Sequence, residues 1–530
     1  MRKYIVKFWK INCVSAILNI ICSGEVVGLN LLMIQAIQGI IELKLYRFIK
    51  WMFMGLLLWI LYISTDCVRA YFQNKAISKM NNDFRMDLVR NITNNSYQFF
   101  HEKDSGEYIS WFTNDVSQVQ RLAWEPFFEY IAAIASIIFS AIALSRFHWS
   151  LLLVSFLAAF LIVAVPKIFS KSIERYGKEN TIIQERCTDQ IKDNLLGFDI
   201  LRFFNRTFLF KYNFKKISTS MEKAGFDLRL KNELSSNAIT LVSILCQVVV
   251  NLYIGFLSIK GIIIQAAIMG GGNICSSIYN NLGKLGKYKL SFVSAKPIFE
   301  KTLLCDDNEK DRNEKIDFLQ TKISLENVSF KYGDGPLILD NMNMNFEIGK
   351  KYALIGKSGS GKTTLLKLIL GLLRNYDGKI FFDQTDIGNC KAEEIQKHLS
   401  YIEQNVYLFN TTIRNNITLF EEFPEEEIDE AIRISALTKD IRSFENGLDT
   451  EVGEAGCNLS GGQRQRVAIA RALLHKRNVL LVDEGTSALD KENADIIEKN
   501  LLAEKELTLI IVSHHLSDER KKQFDLVYEI

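Results

Sequence analysis

Six apolar stretches recur in the first half of the chain, around residues 12–37, 48–67, 126–145, 149–166, 235–258 and 262–282, each long enough to cross about 30 Å of hydrocarbon. Such stretches are stable in lipid only as helices, which pair all of their own backbone polar groups. Residues 1–300 are therefore expected to form an α-helical polytopic domain with six membrane helices. The mean hydropathy of +0.05 averages this apolar half with a charged one. Arg2, Lys3, Lys7 and Lys10 precede the first stretch as they would in a signal peptide, but the run is too long for one and no small-residue cleavage site follows. The sixth stretch is the least regular, because Gly270, Gly271 and Gly272 interrupt it and Asn273, Ser276, Ser277, Asn280 and Asn281 make its inner half polar.

Segments 69–122 and 167–233 are long, rich in Lys and Arg and helix-periodic, whereas the links near 145–149 and 258–261 are very short. Excess positive charge places the long connections, and with them both termini, in the cytosol. Lys44, Arg47 and Lys50 in the first link oppose this with fewer charges. The 530 residues carry a formal net charge of +3 and are 48% hydrophobic, which excludes intrinsic disorder and gives no reason to expect a nucleic-acid partner. The nine cysteines are scattered, odd in number and form no C-x-x-C pair, so neither a disulfide frame nor a zinc site is indicated.

A charged stretch, Asp306 to Lys315, marks a linker over residues 301–320. From residue 321 to 530 short β-rich runs, Leu325–Phe330 and Tyr352–Ile355, alternate with helical segments such as Thr363–Leu372, and Val479–Val482 is apolar throughout, as in a buried parallel strand. This is an α/β pattern. After the second run comes Gly356-Lys357-Ser358-Gly359-Ser360-Gly361-Lys362-Thr363, a G-x-x-x-x-G-K-T loop with Thr364 beside it. Its glycines let backbone amides approach phosphate, Lys362 can reach the β and γ phosphates, and the Thr363 hydroxyl suits Mg²⁺. The apolar strand 479–482 ends in Asp483 and Glu484. Charges at the tip of a buried strand face a site, with Asp483 placed to hold the metal shell and Glu484 to orient and deprotonate an attacking water. Together the two motifs define an NTPase with Mg²⁺ as a cofactor.

Leu459-Ser460-Gly461-Gly462-Gln463, leading into a helix from about Arg464 to Leu474, resembles the signature sequence of ATP-binding cassette proteins, and the companion motifs stand in that family's order. The resemblance implies that Tyr332 stacks on adenine, that Gln404 begins the loop sensing Mg²⁺ and the membrane domain, that Ser487 to Asp490 form the D-loop and that His514 senses the γ-phosphate. Ser460, Gly461 and Gly462 lie before a positive helix end, which suits phosphate. In this family that phosphate belongs to ATP on a second nucleotide domain, so one such domain per chain implies a half-transporter, paired as a homodimer or heterodimer. Phe99 to Ser110 with Thr113-Asn114-Asp115-Val116 resembles the first coupling region of exporter-type members, and Thr450 to Gly456 resembles the exporters' T-x-V-G-E-x-G segment, which makes Glu454 a cross-contact to a coupling helix. A second coupling segment is expected near Phe203–Lys215.

Two residues depart from the family pattern: Gly485 follows Glu484 where Ala or Pro is commoner, and His515 follows His514 where Arg is frequent. The sequence stops at Ile530, soon after His514, where many relatives continue, and is expected to pack that domain less fully; with no domain ahead of the first span, a built-in leader-peptide protease is not expected. Glu25, mid-way along the first span, reads either as a contact for cationic cargo or as a locally paired acid, the latter preferred. The Gly270–Gly272 run reads equally as a hinge or a close-packing face. Trp111 and Trp124 read as interfacial or packing aromatics rather than ligand contacts. The expected protein is a multi-pass exporter of the plasma membrane with a cytosolic nucleotide domain, favouring peptide or small amphipathic cargo, with lipid flipping or a non-pumping regulatory or channel role as alternatives.

Overall fold

The computed structural model describes residues 1–303, 312, 314–485, 491–513 and 518–530. Apolar periodicity sets the first unit, Met1–Thr93 with Ser105–Leu304. Its helices are α1 (Arg2–Lys7), α2 (Trp9–Ile41) and α3 (Leu45–Asn94), then, after α4 (Tyr97–His101), α5 (Ser105–Ser110), α6 (Val116–Val119), α7 (Glu125–Phe147), α8 (Trp149–Leu196), α9 (Phe198–Phe203), α10 (Thr207–Ile259) and α11 (Ala267–Glu300). The wider π-helical geometry occupies Trp111–Asp115 and Gln120–Trp124 on either side of α6. In α3 the first half is apolar and largely exposed, while Ala76, Ile77, Met80, Phe84 and Leu88 form a buried stripe at helical spacing along the second half.

Two cores result. Ile34, Leu144, Ile162, Val250, Ile274 and Tyr279 pack at membrane depth. Tyr4, Phe84, Trp111, Trp124 and Phe128 pack where the helices extend beyond it. The tryptophans are thus packing residues, 1% and 0% exposed. Tyr4 anchors α1 to α3: its hydroxyl donates to Asp87 Oδ2 at 2.8 Å, and Lys3 pairs with the same oxygen at 2.6 Å.

Among the described residues four helical stretches are long and apolar enough to cross a membrane, Trp9–Ile41, Leu45–Asn94, Ser105–Phe147 and Thr207–Ile259, and Trp149–Ile162 is a shorter apolar stretch opening α8. The expected sixth span falls in α11, whose inner polar residues leave it outside that set. The glycine run in α11 is a packing face and not a break. A Cβ at Gly270 would lie 2.1 Å from Ile34 Cγ1, at Gly271 2.8 Å from Ile254 Cδ1 and at Gly272 2.4 Å from Asn251 Oδ1, and α11 runs through all three. Near the expected second coupling segment, α9 ends at Phe203 and α10 begins at Thr207, with Phe203, Phe204, Phe208 and Tyr212 exposed around the turn.

The second unit is Cys305–Ile530 together with Asn94–Asp104, a short piece whose neighbours in sequence belong to the first. Strands β1 (Lys322–Lys331), β2 (Leu337–Glu347), β4 (Asp377–Phe382) and β5 (Thr385–Asp386) form an antiparallel sheet in the order β2-β1-β4-β5. β3 (Lys351–Ile355), β6 (Leu399–Ile402), β7 (Val479–Asp483), β8 (Thr508–Ser513) and β9 (Leu526–Glu529) form a parallel sheet in the order β6-β7-β8-β3-β9. α12 (Lys362–Ile369) follows β3, and α13 (Ala392–Gln396) precedes β6. A helical subdomain of α14 (Ile413–Thr418), α15 (Glu425–Ile434), α16 (Thr438–Ser443) and α17 (Gly461–Leu474) has its own core of Ile413, Ile417, Ile428, Val452 and Val467. Every residue of β7 is buried, as its unbroken apolar run requires.

Candidate functional site

The C-terminal ends of neighbouring parallel strands are where a doubly wound sheet leaves room for a ligand. Here β3, β7 and β6 deliver the phosphate loop, the pair Asp483 and Glu484, and Gln404 to that edge. His514, His515 and Ser487–Asp490 lie outside the described residues.

Two positions of the phosphate loop require glycine. Gly359 and Gly361 have φ of +84° and +96°, in the left-handed region, and a Cβ at Gly361 would also lie 2.7 Å from Leu339. Gly361 is the N-cap of α12, so the free amides of its first turn point into the loop. Lys362, only 5% exposed, donates to the Gly356 carbonyl at 2.9 Å and the Lys357 carbonyl at 2.7 Å, holding its ammonium across the loop. Tyr332 is 46% exposed; its ring meets Phe330 edge-on at 4.9 Å and its hydroxyl shares a 3.3 Å hydrogen bond with Thr364. The ring keeps an open face.

Asp483 is buried, and Oδ2 accepts a hydrogen bond from the Tyr401 hydroxyl at 3.3 Å. Burial pushes its pKa up, with the hydroxyls of Thr363 and Tyr401 acting in the opposite direction. Oδ1 is buried and takes no hydrogen bond. A buried carboxylate oxygen left open beside the threonine hydroxyl suits a hard cation that shares its shell with phosphate oxygens, as Mg²⁺ does. Among the described residues no group of three His, Cys, Asp or Glu could hold a metal ion by itself.

Glu484 has φ of +53°, a costly conformation for a residue with a Cβ, of the kind that gathers at functional sites. Gln404 Nε2 donates to Glu484 Oε2 at 2.8 Å, which places Gln404 on the acid rather than on Asp483. The glycine that follows has a packing reason: a Cβ at Gly485 would lie 2.6 Å from Val482 Cγ1.

Ser460 caps α17, which begins at Gly461 rather than near Arg464. Its hydroxyl accepts from Gln463 N at 3.2 Å while Gln463 Oε1 accepts from Ser460 N at 2.9 Å, a closed capping box. Gln463 and Arg466 both bond Asp440, which locks the helix start onto α16. Among the described residues no hydrogen bond joins the signature to the phosphate loop. Glu454 stands exposed at the start of a 3₁₀ turn. Glu25 Oε1 accepts a hydrogen bond from Thr65 at 3.1 Å, while Oε2 is buried and takes none. Sequence reasoning passed over Tyr401, a phenol in the short strand Leu399–Ile402 three residues before Gln404.

Residues 13–268 match the family model for the ABC transporter transmembrane region, and residues 339–487 match that for the ABC transporter domain. A bacterial Atm1-family ABC exporter solved with ATP bound shares the fold at a TM-score of 0.86, covering 98% of this chain and 94% of that one at 19% identity. The chain is an exporter-type ATP-binding cassette half-transporter. This half-transporter is 28% identical to the ATP-dependent lipid A-core flippase of Escherichia coli (strain K12) over 88% of its own length and 81% of the flippase. The same flippase in Shigella sonnei (strain Ss046) is similar to it at 28% identity, and in Escherichia coli O6:K15:H31 at 29%, each with that coverage. The half-transporter carries one nucleotide domain per chain and is an ATPase coupled to movement across the membrane.

Proposed function

We propose that two copies of this chain move an amphipathic lipid between leaflets of the plasma membrane, with Mg-ATP binding drawing two cytosolic nucleotide domains together and hydrolysis releasing them. The observation that carries the cargo class is a cavity of about 720 Å³ in the membrane unit, walled by α2, α3, α7 and α11 and by the π-helical turn Gln120–Trp124. It reaches from membrane-depth residues such as Val26 and Tyr62 to the helical extensions at Arg121 and Lys287. Arg69, Arg121, Lys284 and Lys287 line it against Asp66 and Glu129. Asp66 is already paired with Arg69 at 2.6 Å, which leaves an excess of positive charge. A polar, cationic chamber at the level where apolar helices give way to charged ones suits the headgroup of an inner-leaflet lipid whose tails stay in hydrocarbon. The flippase relatives support this over free peptide or drug cargo.

In the nucleotide domain the phosphate loop Gly356 to Thr364 with Lys362 would cradle the phosphates, Tyr332 would stack on adenine, and Asp483 with Thr363 would hold Mg²⁺, which would supply neutralisation of charge on the transferring phosphoryl group. Glu484, its position fixed by its backbone and by Gln404, takes the proton of the attacking water. Gln404 also senses the metal, His514 the γ-phosphate, and Asp490 the facing domain. Ser460, Gly461, Gly462 and Gln463 offer the N-terminus of α17 to ATP on the second copy, since none of them is bonded to the phosphate loop of their own chain. Homodimer and heterodimer share this chemistry; the chain retains Glu484 and His514, so a second copy completes both sites.

The test is ATPase activity of the chain in nanodiscs of neutral lipid, with anionic lipid or a water-soluble amphipathic peptide added. Anionic lipid is expected to stimulate turnover several-fold, and Arg121→Ala and Lys284→Ala to reduce that stimulation. Stimulation by the peptide alone would overturn the lipid assignment.

A further inference from the structure

Tyr401 donates its hydroxyl hydrogen to Asp483 Oδ2 at 3.3 Å, across the parallel pairing in which Tyr401 stands beside Leu481 and Ile402 beside Val482. The other carboxylate oxygen, Oδ1, is buried and takes no hydrogen bond. A carboxylate with one oxygen held and one open has a fixed orientation, and ligand orientation by an outer hydrogen bond is how metal shells are tuned.

We propose that Tyr401 is a positioning residue for Asp483, holding Oδ2 so that Oδ1 is left open as a metal ligand. The inference rests on Asp483 as the metal ligand.

The experiment is equilibrium binding of a fluorescent ATP analogue to the full chain in nanodiscs, with and without Mg²⁺, and with Mn²⁺ as a spectroscopic probe of the shell. Tyr401→Phe keeps the ring and removes the hydroxyl. It is expected to raise the Mg²⁺ concentration for half-saturation about three- to tenfold, to broaden or shift the Mn²⁺ resonance, and to leave metal-free analogue affinity within about twofold. An unchanged Mg²⁺ midpoint and Mn²⁺ spectrum in Tyr401→Phe, where Asp483→Asn abolishes the metal effect, would overturn the positioning role. A metal effect that survives Asp483→Asn would instead remove the ligand assignment beneath it.

Discussion

At the scale of single residues, the chemistry is set by a few side chains whose surroundings leave them little freedom. Glu484 is held at a positive φ and bonded to Gln404, so replacing its carboxylate by an isosteric amide should leave ATP binding intact and remove the base. Glu484→Gln is expected to keep Mg-ATP affinity within a few-fold while turnover falls about 10²- to 10⁴-fold, measured by binding and steady-state hydrolysis side by side. Asp87 makes a second residue-scale case, outside the nucleotide site. Burial raises its pKa, but the bonds from Lys3 and Tyr4 and the charges of Lys3 and Arg90 outweigh burial and hold it below the usual carboxylate range. A lowered folded-state pKa means stabilisation that is present at neutral pH and lost as pH falls through that range. Asp87→Asn is therefore expected to lower the melting temperature at pH 7 by a few degrees, with the gap to wild type closing in acid. A gap independent of pH would show that packing, and not charge, holds α1.

Elements show where the sequence speaks and where it is silent. The glycine spacing of the phosphate loop and the apolar run of β7 were legible because phosphate contact and burial in a parallel sheet each dictate local residue types. The Tyr401–Asp483 bond was not, since 82 residues separate its partners and only the register of β6 on β7 brings them together. Nor could composition show that Asn94–Asp104 belongs with the nucleotide unit, because that membership is a matter of long-range contact. The Gly270–Gly272 run admitted two readings until α2 and α10 were seen against it. Since a Cβ at Gly270 would collide with Ile34, Gly270→Ala is expected to destabilise the membrane unit by about 1–3 kcal/mol, and Ile34→Ala in the same chain to restore part of the loss. Thermal unfolding in detergent checks both; additive losses would contradict the packing account.

For the whole molecule, among the described residues no hydrogen bond joins the phosphate loop to the signature, in keeping with a working unit of two nucleotide domains. Ser460→Arg places bulk and positive charge at the N-terminus of α17, where the second copy's phosphate is expected, so ATP-dependent cross-linking between copies should be lost while each chain still binds nucleotide. The most direct test of ATP-driven lipid movement is redistribution of a fluorescent anionic phospholipid in liposomes reconstituted with this chain alone, beside Glu484→Gln. The account predicts Mg-ATP-dependent transfer to the opposite leaflet by a dimer of wild-type chains and none by the variant. Transfer that proceeds equally without ATP, or that survives Glu484→Gln, would contradict it.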